Sequence, residues 1–299
     1  MTAKMHDDEL EIDAPLVRRL LEEQFPEWAS LPIERVELMG TDHALYRLGG
    51  RMVARLPRIP RVQESLVREW RWLPRIGPQL PLAVPEVLAE GIPGEGYPSS
   101  WSVYSWLPGE RVAVDRIRDQ DEFAAELSGF IAALQQIDAT DGPTPGRHNS
   151  GRGEPLAQRD AQTRAWFAEL ERRTDTSVLT AVWEDALRTP PWNRPPVWIH
   201  GDLDAQNLLM TDGRLTGAID FGCMAVGDPA CDVMVAWKLL TAHGREVFRS
   251  KLSIDDATWA RSRGWVASQA AGVIAYYTED NHPVLVRAAR HWVAELSAG

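Results

Sequence analysis

Cysteine is almost missing from this chain of 299 residues: Cys223 and Cys231 are the two it has. They offer neither a disulfide framework nor the paired spacing of a zinc site, and they suit a reducing cytoplasm as small buried hydrophobes. The seven histidines are scattered, so the ligand clusters of a two-metal hydrolase are lacking as well. No run of eighteen apolar residues occurs, which argues against a transmembrane helix. The opening MTAKMHDDELEID is acidic without an apolar centre, unlike a signal peptide. Positive charge is also short: 32 Lys and Arg stand against 43 Asp and Glu, a net charge of −11 that speaks against a nucleic-acid partner. No GxxxxGK[ST] motif is present, so a P-loop site is excluded.

What remains is an ordinary soluble composition, 44% hydrophobic and 25% charged, long enough for one large domain or two lobes. Asp13, Ala14 and Pro15 ahead of Leu16, Val17, Leu20, Leu21 and Phe25 read as a capped amphipathic helix. Alternation over Ile33 to Met39, Ala44 to Leu48 and Met52 to Leu56 predicts three strands. Gln63 to Ile76 is helical in pattern, with Leu66, Trp70 and Leu73 on one face. The segment GIPGEGYPSS reads as a loop before a buried strand, WSVYSWL. Pro108-Gly109 breaks that strand and sets a boundary between residues 1–107 and 108–299, with a hinge at about 104–109. Beyond it the pattern is helical over Phe123 to Ile137, Ala157 to Arg173, Ser177 to Leu187, Cys231 to Leu240, Asp256 to Tyr277 and Val284 to Leu296. Asp141 to Pro155, rich in Gly and Pro, reads as a long surface loop. Periodicity by itself gives an α+β class with two lobes.

The chemistry concentrates in WIHGDLDAQNLLMTDGRLTGAIDFG, Trp198 to Gly222. Asp202, Asn207 and Asp220 stand at offsets of five and thirteen along it. Leu208 to Met210 begins a strand, Asp212-Gly213 turns the chain, and LTGAID returns it, so Asp220 comes back beside Asn207. Two oxygen ligands and a nearby carboxylate are what phosphoryl transfer asks of a protein: hold magnesium, orient a hydroxyl, screen the phosphates.

His200-Gly201-Asp202, Asn207 and Asp220-Phe221-Gly222 resemble the catalytic and metal-binding loops of the protein-kinase-like superfamily. With the glycine after His200 and the following GDPACD, Gly227 to Asp232, they look like the aminoglycoside phosphotransferase family. ARLPR, VREWRWLPR, LPGE and YYTEDNHPVL also look like family segments, so the resemblance spans nearly the whole chain. It implies a bilobal protein-kinase-like fold: a small N-terminal nucleotide-binding lobe of antiparallel sheet plus helix, and a larger, mainly helical C-terminal lobe for catalysis and substrate.

By the same resemblance Asp202 is the catalytic residue that orients the substrate hydroxyl, and Asn207 and Asp220 bind Mg2+. The strand lysine that meets the nucleotide phosphates is replaced by Arg55, paired with Glu69; Arg58 and Arg61 are the other cations within reach. Thr41 and His43 belong to a turn that would cover the phosphates, with one glycine, Gly40, in place of three. Ser105 and Leu107 flank Trp106 at the expected hinge, where main-chain groups meet the base of ATP or GTP. His200 reads as a packed residue shaping the loop, and Asp232 as a brace for it.

The implied activity is Mg-dependent transfer of the γ-phosphate of ATP or GTP to a hydroxyl of a small molecule. Gly201 stands where a protein kinase carries arginine, and few residues separate Gly222 from GDPACD, which leaves no room for a peptide-docking segment. Residues 109–185 hold fifteen acids against nine bases. That excess is either a solvated helical surface or a groove for a cationic acceptor such as an aminoglycoside. Asp204, Tyr277, Glu279 and Asp280 are the candidate acceptor contacts. A macrolide or a hydroxylated metabolite is an alternative acceptor, and a non-catalytic nucleotide-binding protein is the alternative of another class. The expected protein is cytoplasmic, without membrane or nucleic-acid partners, and a monomer or weak dimer.

Overall fold

The computed structural model describes residues 10–36, 43–59 and 62–298. The chain divides into two compact units, Met1–Pro108 and Gly109–Gly299.

In the first unit, helix α1 (Ala14–Gln24) starts where Asp13 Oδ1 accepts the Leu16 N–H at 2.8 Å, with proline in the first turn. Its Leu16, Val17, Leu20 and Leu21 are buried. An antiparallel sheet follows, built from β1 (Ile33–Arg35), β2 (His43–Leu48), β3 (Met52–Pro57), β4 (Val87–Gly91) and β5 (Trp101–Ser105), in the order β1-β2-β3-β5-β4. Ala44, Tyr46 and Leu48 alternate inward along β2 and pack with Ala54, Leu56, Trp101 and Val103 into the same core as α1. Helix α2 (Gln63–Ile76) buries Leu66, Glu69, Trp72, Leu73 and Ile76. The expected Trp70 sits half-buried at the margin of that face, its indole N–H donating to Ser102 Oγ at 2.5 Å. Strand β4 is absent from the sequence reading, because prolines before it and glycines after it mask a short alternation.

The second unit contains β6 (Glu110–Arg111), α3 (Gln120–Gln136), α4 (Asp160–Leu170), α5 (Ser177–Arg188), β7 (Val197–Ile199), β8 (Leu208–Thr211), β9 (Arg214–Ala218) and β10 (Ala225–Gly227). It ends with α6 (Ala230–Val233), α7 (Val235–Leu239), α8 (Ala242–Lys251), α9 (Asp256–Tyr276) and α10 (Pro283–Ala298). Trp183, Trp237 and Trp265 anchor its apolar core with Phe167, Leu170 and residues of α9 and α10. Tryptophans serving as packing mass explain much of the count of thirteen.

Three expectations differ from this architecture. The segment Ala157 to Arg173 opens with a 3-10 turn over Leu156–Arg159 before α4 begins. Cys231 to Leu240 forms two short helices, and α8 follows, a helix whose polar sequence AHGREVFRSK hides its start until Thr241 is seen capping Gly244 N–H. Asp141 to Pro155 is more than a surface loop, since Asn149 within it is fully buried. Among the described residues no helix is long and apolar enough to cross a membrane.

Candidate active site

The hairpin β8–β9 closes through Asp212 (φ 52°) and Gly213 (φ 76°), two consecutive left-handed residues as a type I′ turn requires. A Cβ on Gly213 would come within 2.9 Å of Arg116 O and Arg118 N, so glycine is needed for space as well as for φ. At the open end, Ile219 N–H donates to Asn207 O at 2.9 Å. That bond puts Asp220 one residue beyond Asn207's own partner. Asp220 is itself left-handed (φ 63°) and begins the 3-10 turn Phe221–Cys223.

The loop after β7 is held from within the core. His200 N–H and Gly201 N–H donate to Asp232 Oδ2 and Oδ1 at 2.7 and 2.8 Å. Burial pushes the Asp232 carboxyl up, and those two amides favour its charged form. The buried His200 ring bridges Ile219 O (Nε2, 3.0 Å) and Asp202 N–H (Nδ1, 3.2 Å) and packs on Phe221, which makes it a shaping residue. Gly201 has φ +83°, and a Cβ there would lie 2.4 Å from Cys223 O.

Asp202 emerges from this frame. Asn207 Nδ2 donates both to Asp202 O (2.8 Å) and to Asp202 Oδ2 (3.1 Å). Arg152 Nη2 reaches Asp202 Oδ1 at 2.8 Å. Asp204 turns the loop, its Oδ1 accepting Gln206 N–H at 2.7 Å and its carbonyl accepting Asn207 N–H at 3.2 Å. Burial raises the Asp204 carboxyl against the pull of the Lys238 ammonium, which is buried and lies over the Trp292 ring at 4.7 Å. Arg111 on β6 bonds Gln206 Oε1; burial lowers its pKa, while the charges of Asp204 and Asp220 raise it.

Below the loop, Asp228 of GDPACD is locked by Arg261 from α9, with Nε to Oδ2 at 2.7 Å and side chains 4% and 5% exposed. Asp228 N–H donates to Gly153 O at 2.9 Å, which fastens residues 146–154 to the same frame.

In the first unit Arg55 Nη1 meets both oxygens of the buried Glu69, at 2.8 and 2.7 Å. Tyr104 OH donates to Glu69 Oε2 at 2.6 Å, and His43 Nδ1 lies 3.4 Å from Arg55 Nη2. Thr41, with Gly40 and Asp42, lies outside the described residues, as does Arg61. Ser105 N–H and Oγ are bonded to Glu86 O and N–H, and Trp106 N–H donates to Arg51 O at 2.8 Å. Arg47 covers the Trp106 ring at 4.6 Å, so that indole is packed.

The structure gathers Asp202, Asp204, Asn207 and Asp220 on one loop-and-hairpin unit. Tyr277, Glu279 and Asp280 belong to the α9–α10 turn, where Tyr277 makes edge-to-face contacts with Tyr276 and His282 and Glu279 pairs with Arg290. Arg152 is the functional candidate that sequence reasoning missed. The only signal for it was an arginine between two glycines, too slight to say what it docks against. Among the described residues no three His, Cys, Asp or Glu side chains converge on a metal position. One carboxamide oxygen and one carboxylate are hard donors of the kind Mg2+ takes when phosphates and water complete its shell.

A family model described as the phosphotransferase enzyme family, APH, matches residues 37–265. The chain belongs to that family. An aminoglycoside 3'-phosphotransferase of Escherichia coli is 24% identical over 147 residues, 47% of this chain and 53% of the relative. Another from the same organism is 33% identical over 81 residues, 27% of this chain and 26% of its own. The chain therefore spans about half the length, or less, of the curated relatives it matches. Among solved structures, the GDP complex of aminoglycoside 2'-phosphotransferase-IIIa aligns with a TM-score of 0.73 at 18% identity, covering 96% of this chain and 99% of that one. Macrolide 2'-phosphotransferase MphH from Brachybacterium faecium aligns at 0.62 and 24% identity, covering 96% and 97%. The fold is the kinase-like α+β fold of these phosphotransferases.

Proposed function

We propose that this member of the APH family transfers the γ-phosphate of ATP or GTP to a hydroxyl of a small molecule, with magnesium. The observation that carries the reading is the joint geometry of Asp202, Asn207 and Asp220: a half-buried carboxylate steadied by the carboxamide of Asn207, whose carbonyl is tied to the residue before Asp220. Asp202 orients the hydroxyl and takes its proton late, a contribution of about 10²–10⁴. Asn207 and Asp220 would hold Mg2+, which would supply positive charge to neutralise the phosphates. Arg55, fixed by Glu69, is assigned to the phosphate oxygens, with His43 and Thr41 beside it and Ser105 and Leu107 at the base. The division of labour between a nucleotide-binding unit ending near residue 107 and a catalytic unit after it belongs to the same proposal.

The acceptor we favour is an aminoglycoside-like cation, on the strength of the curated relatives and of a kanamycin complex among the structural neighbours. Charge does not decide it. Most acids of residues 109–185 are engaged locally: Glu122 and Glu126 with Arg214, Asp160 and Glu184 with Arg164, Glu110 with Arg116, Glu169 with Arg173, Asp185 with Arg188, Asp119 as the cap of α3 and Asp175 accepting Ser177 N–H. The likeness to MphH supports a macrolide as the second acceptor class.

The test is magnesium-dependent nucleotide consumption across aminoglycosides, macrolides and hydroxylated metabolites, with mass spectrometry of any product. A product one phosphate heavier, lost with Asp202→Asn, is the expected result. Nucleotide binding without transfer to any acceptor would instead favour the non-catalytic reading.

A further inference from the structure

The segment between α3 and α4 is built to hold a single arginine. Ser150, Gly151 and Gly153 all have positive φ (57°, 67° and 89°), which the two glycines adopt freely and Ser150 only where its surroundings hold it. Asn149, 0% exposed, holds the segment from the centre. Its Oδ1 accepts Gly146 N–H at 3.0 Å, and its Nδ2 donates to Arg152 O at 2.9 Å and to Cys223 O at 3.3 Å. Gly151 N–H returns to Gly146 O at 2.8 Å. Gly153 lies so close to β7 that a Cβ would meet Ile199 Cδ1 at 2.6 Å, and its carbonyl receives Asp228 N–H. Cys223 O, Ile199 and Asp228, three of the points that fasten the segment from outside, belong to the frame that also carries Asp202, and Arg159 Nη1 also holds Ser150 O at 2.6 Å.

Between those points the Arg152 guanidinium is presented edge-on, with Nη1 2.9 Å from Cys223 Sγ and Nη2 2.8 Å from Asp202 Oδ1. Asp202 is thus held on both oxygens, Oδ1 by Arg152 and Oδ2 by Asn207. A carboxylate oxygen accepts about two hydrogen bonds, so each keeps a lone pair for an incoming hydroxyl. Asn207 alone leaves the carboxylate free to swing about its donor; a second, charge-assisted anchor on the other oxygen removes that freedom.

We propose that Arg152 is a positioning residue for phosphoryl transfer: through its bond to Oδ1 it fixes the plane of the Asp202 carboxylate toward the acceptor hydroxyl. The inference rests on the assignment of Asp202 made above. It requires no contact between Arg152 and either substrate, so its loss falls on turnover and leaves binding alone. Misplacing a reacting group by about 1 Å costs on the order of 10²-fold in rate.

The test compares wild type, Arg152→Gln, Arg152→Lys and Asp202→Asn in steady-state transfer from Mg–ATP or Mg–GTP to the acceptor found by the panel, with thermal melting of each. A crystal structure of Arg152→Gln accompanies it. Expected are a fall of about 10²-fold in kcat for Arg152→Gln, both KM values within about threefold of wild type, and partial recovery in Arg152→Lys. In the crystal the Asp202 carboxylate should rotate out of the wild-type plane. Two results overturn the proposal: turnover of Arg152→Gln within twofold of wild type beside an inactive Asp202→Asn, or an Asp202 carboxylate unmoved in the variant crystal. A loss shared by kcat, both KM values and melting temperature in both Arg152 variants would equally overturn it, since that pattern marks a residue needed only for folding. Full activity of Asp202→Asn would sink the proposed reaction itself and is distinguished by that variant alone.

Discussion

Arg261 and Asp228 form an ion pair sealed inside the second unit, reached from α9 and from the turn after β10. Arg261 also donates to Pro190 O and to Thr258 Oγ1, so its guanidinium is satisfied on several sides. Removing one member of such a pair strands the other without water. Arg261→Leu should cost about 3–5 kcal/mol, read as a lowered urea midpoint in equilibrium unfolding. A change below about 1 kcal/mol would mean the pair contributes little.

Asp202→Asn and Asp220→Ala should fail in different ways. The first keeps the Asn207 frame and should lose about 10²–10⁴ in kcat while nucleotide affinity stays near wild type. The second should abolish the gain in nucleotide affinity that magnesium gives, measured by titration calorimetry with Mg2+ and with EDTA. Equal loss of affinity and turnover in both variants would contradict the division of roles.

Arg55 and Glu69 were legible in advance as a pair, because a strand cation and a helix acid stand at the spacing the family pattern leads one to expect. So were the limits of α2 and the β8–β9 hairpin, since amphipathic period and an Asp-Gly turn are local signals. Arg152 was not legible. Its contact with Asp202 joins residues fifty apart, and it depends on a buried asparagine and three left-handed residues that no periodicity announces. Helix α8 was missed for a different reason: a largely polar decapeptide is helical here because Phe248 and a threonine cap anchor it, but its pattern is weak before the core is known.

Arg55→Ala should leave the Glu69 carboxylate buried with Tyr104 as a remaining donor, and destabilise the protein by about 3 kcal/mol. Arg55→Lys should restore most of that stability. Nη1 alone meets both Glu69 oxygens, while Nη2 lies 3.4 Å from His43 Nδ1; lysine has no second nitrogen for His43, so recovery should be incomplete in thermal melts.

Gly201→Ala should be poorly tolerated. The added methyl meets Cys223 O at 2.4 Å in a backbone region alanine avoids, so a loss of about 1–3 kcal/mol and a collapse of turnover are expected together. Chemical denaturation and transfer assays on the same preparation would check it.

Burial pushes the Cys223 thiol up to about 12, against the pull of Arg152. In the unfolded chain the thiol ionises near pH 9, so folding holds a proton that the unfolded state gives up sooner. The contribution of Cys223 to stability is therefore full below about pH 9 and is lost as pH rises toward 12. Cys223 is half-buried where Cys231 is fully buried, contrary to the expectation that both are interior; its raised thiol stays protonated at pH 8, so native protein should react more slowly with iodoacetamide than protein unfolded in urea. A fast native reaction at Cys223, located by peptide mapping, would contradict the burial argument.

Asp232 settles when the loop around Asp202 is ordered. Because its carboxylate accepts the amides of His200 and Gly201 from within the fold, the entropy of ordering that loop is spent during folding. On the proposed reaction, an acceptor would meet a loop whose ordering cost has already been met. Small fragments carrying the right hydroxyl can therefore exploit the same loop as a full-sized acceptor, which makes a fragment library a sensible source of first ligands.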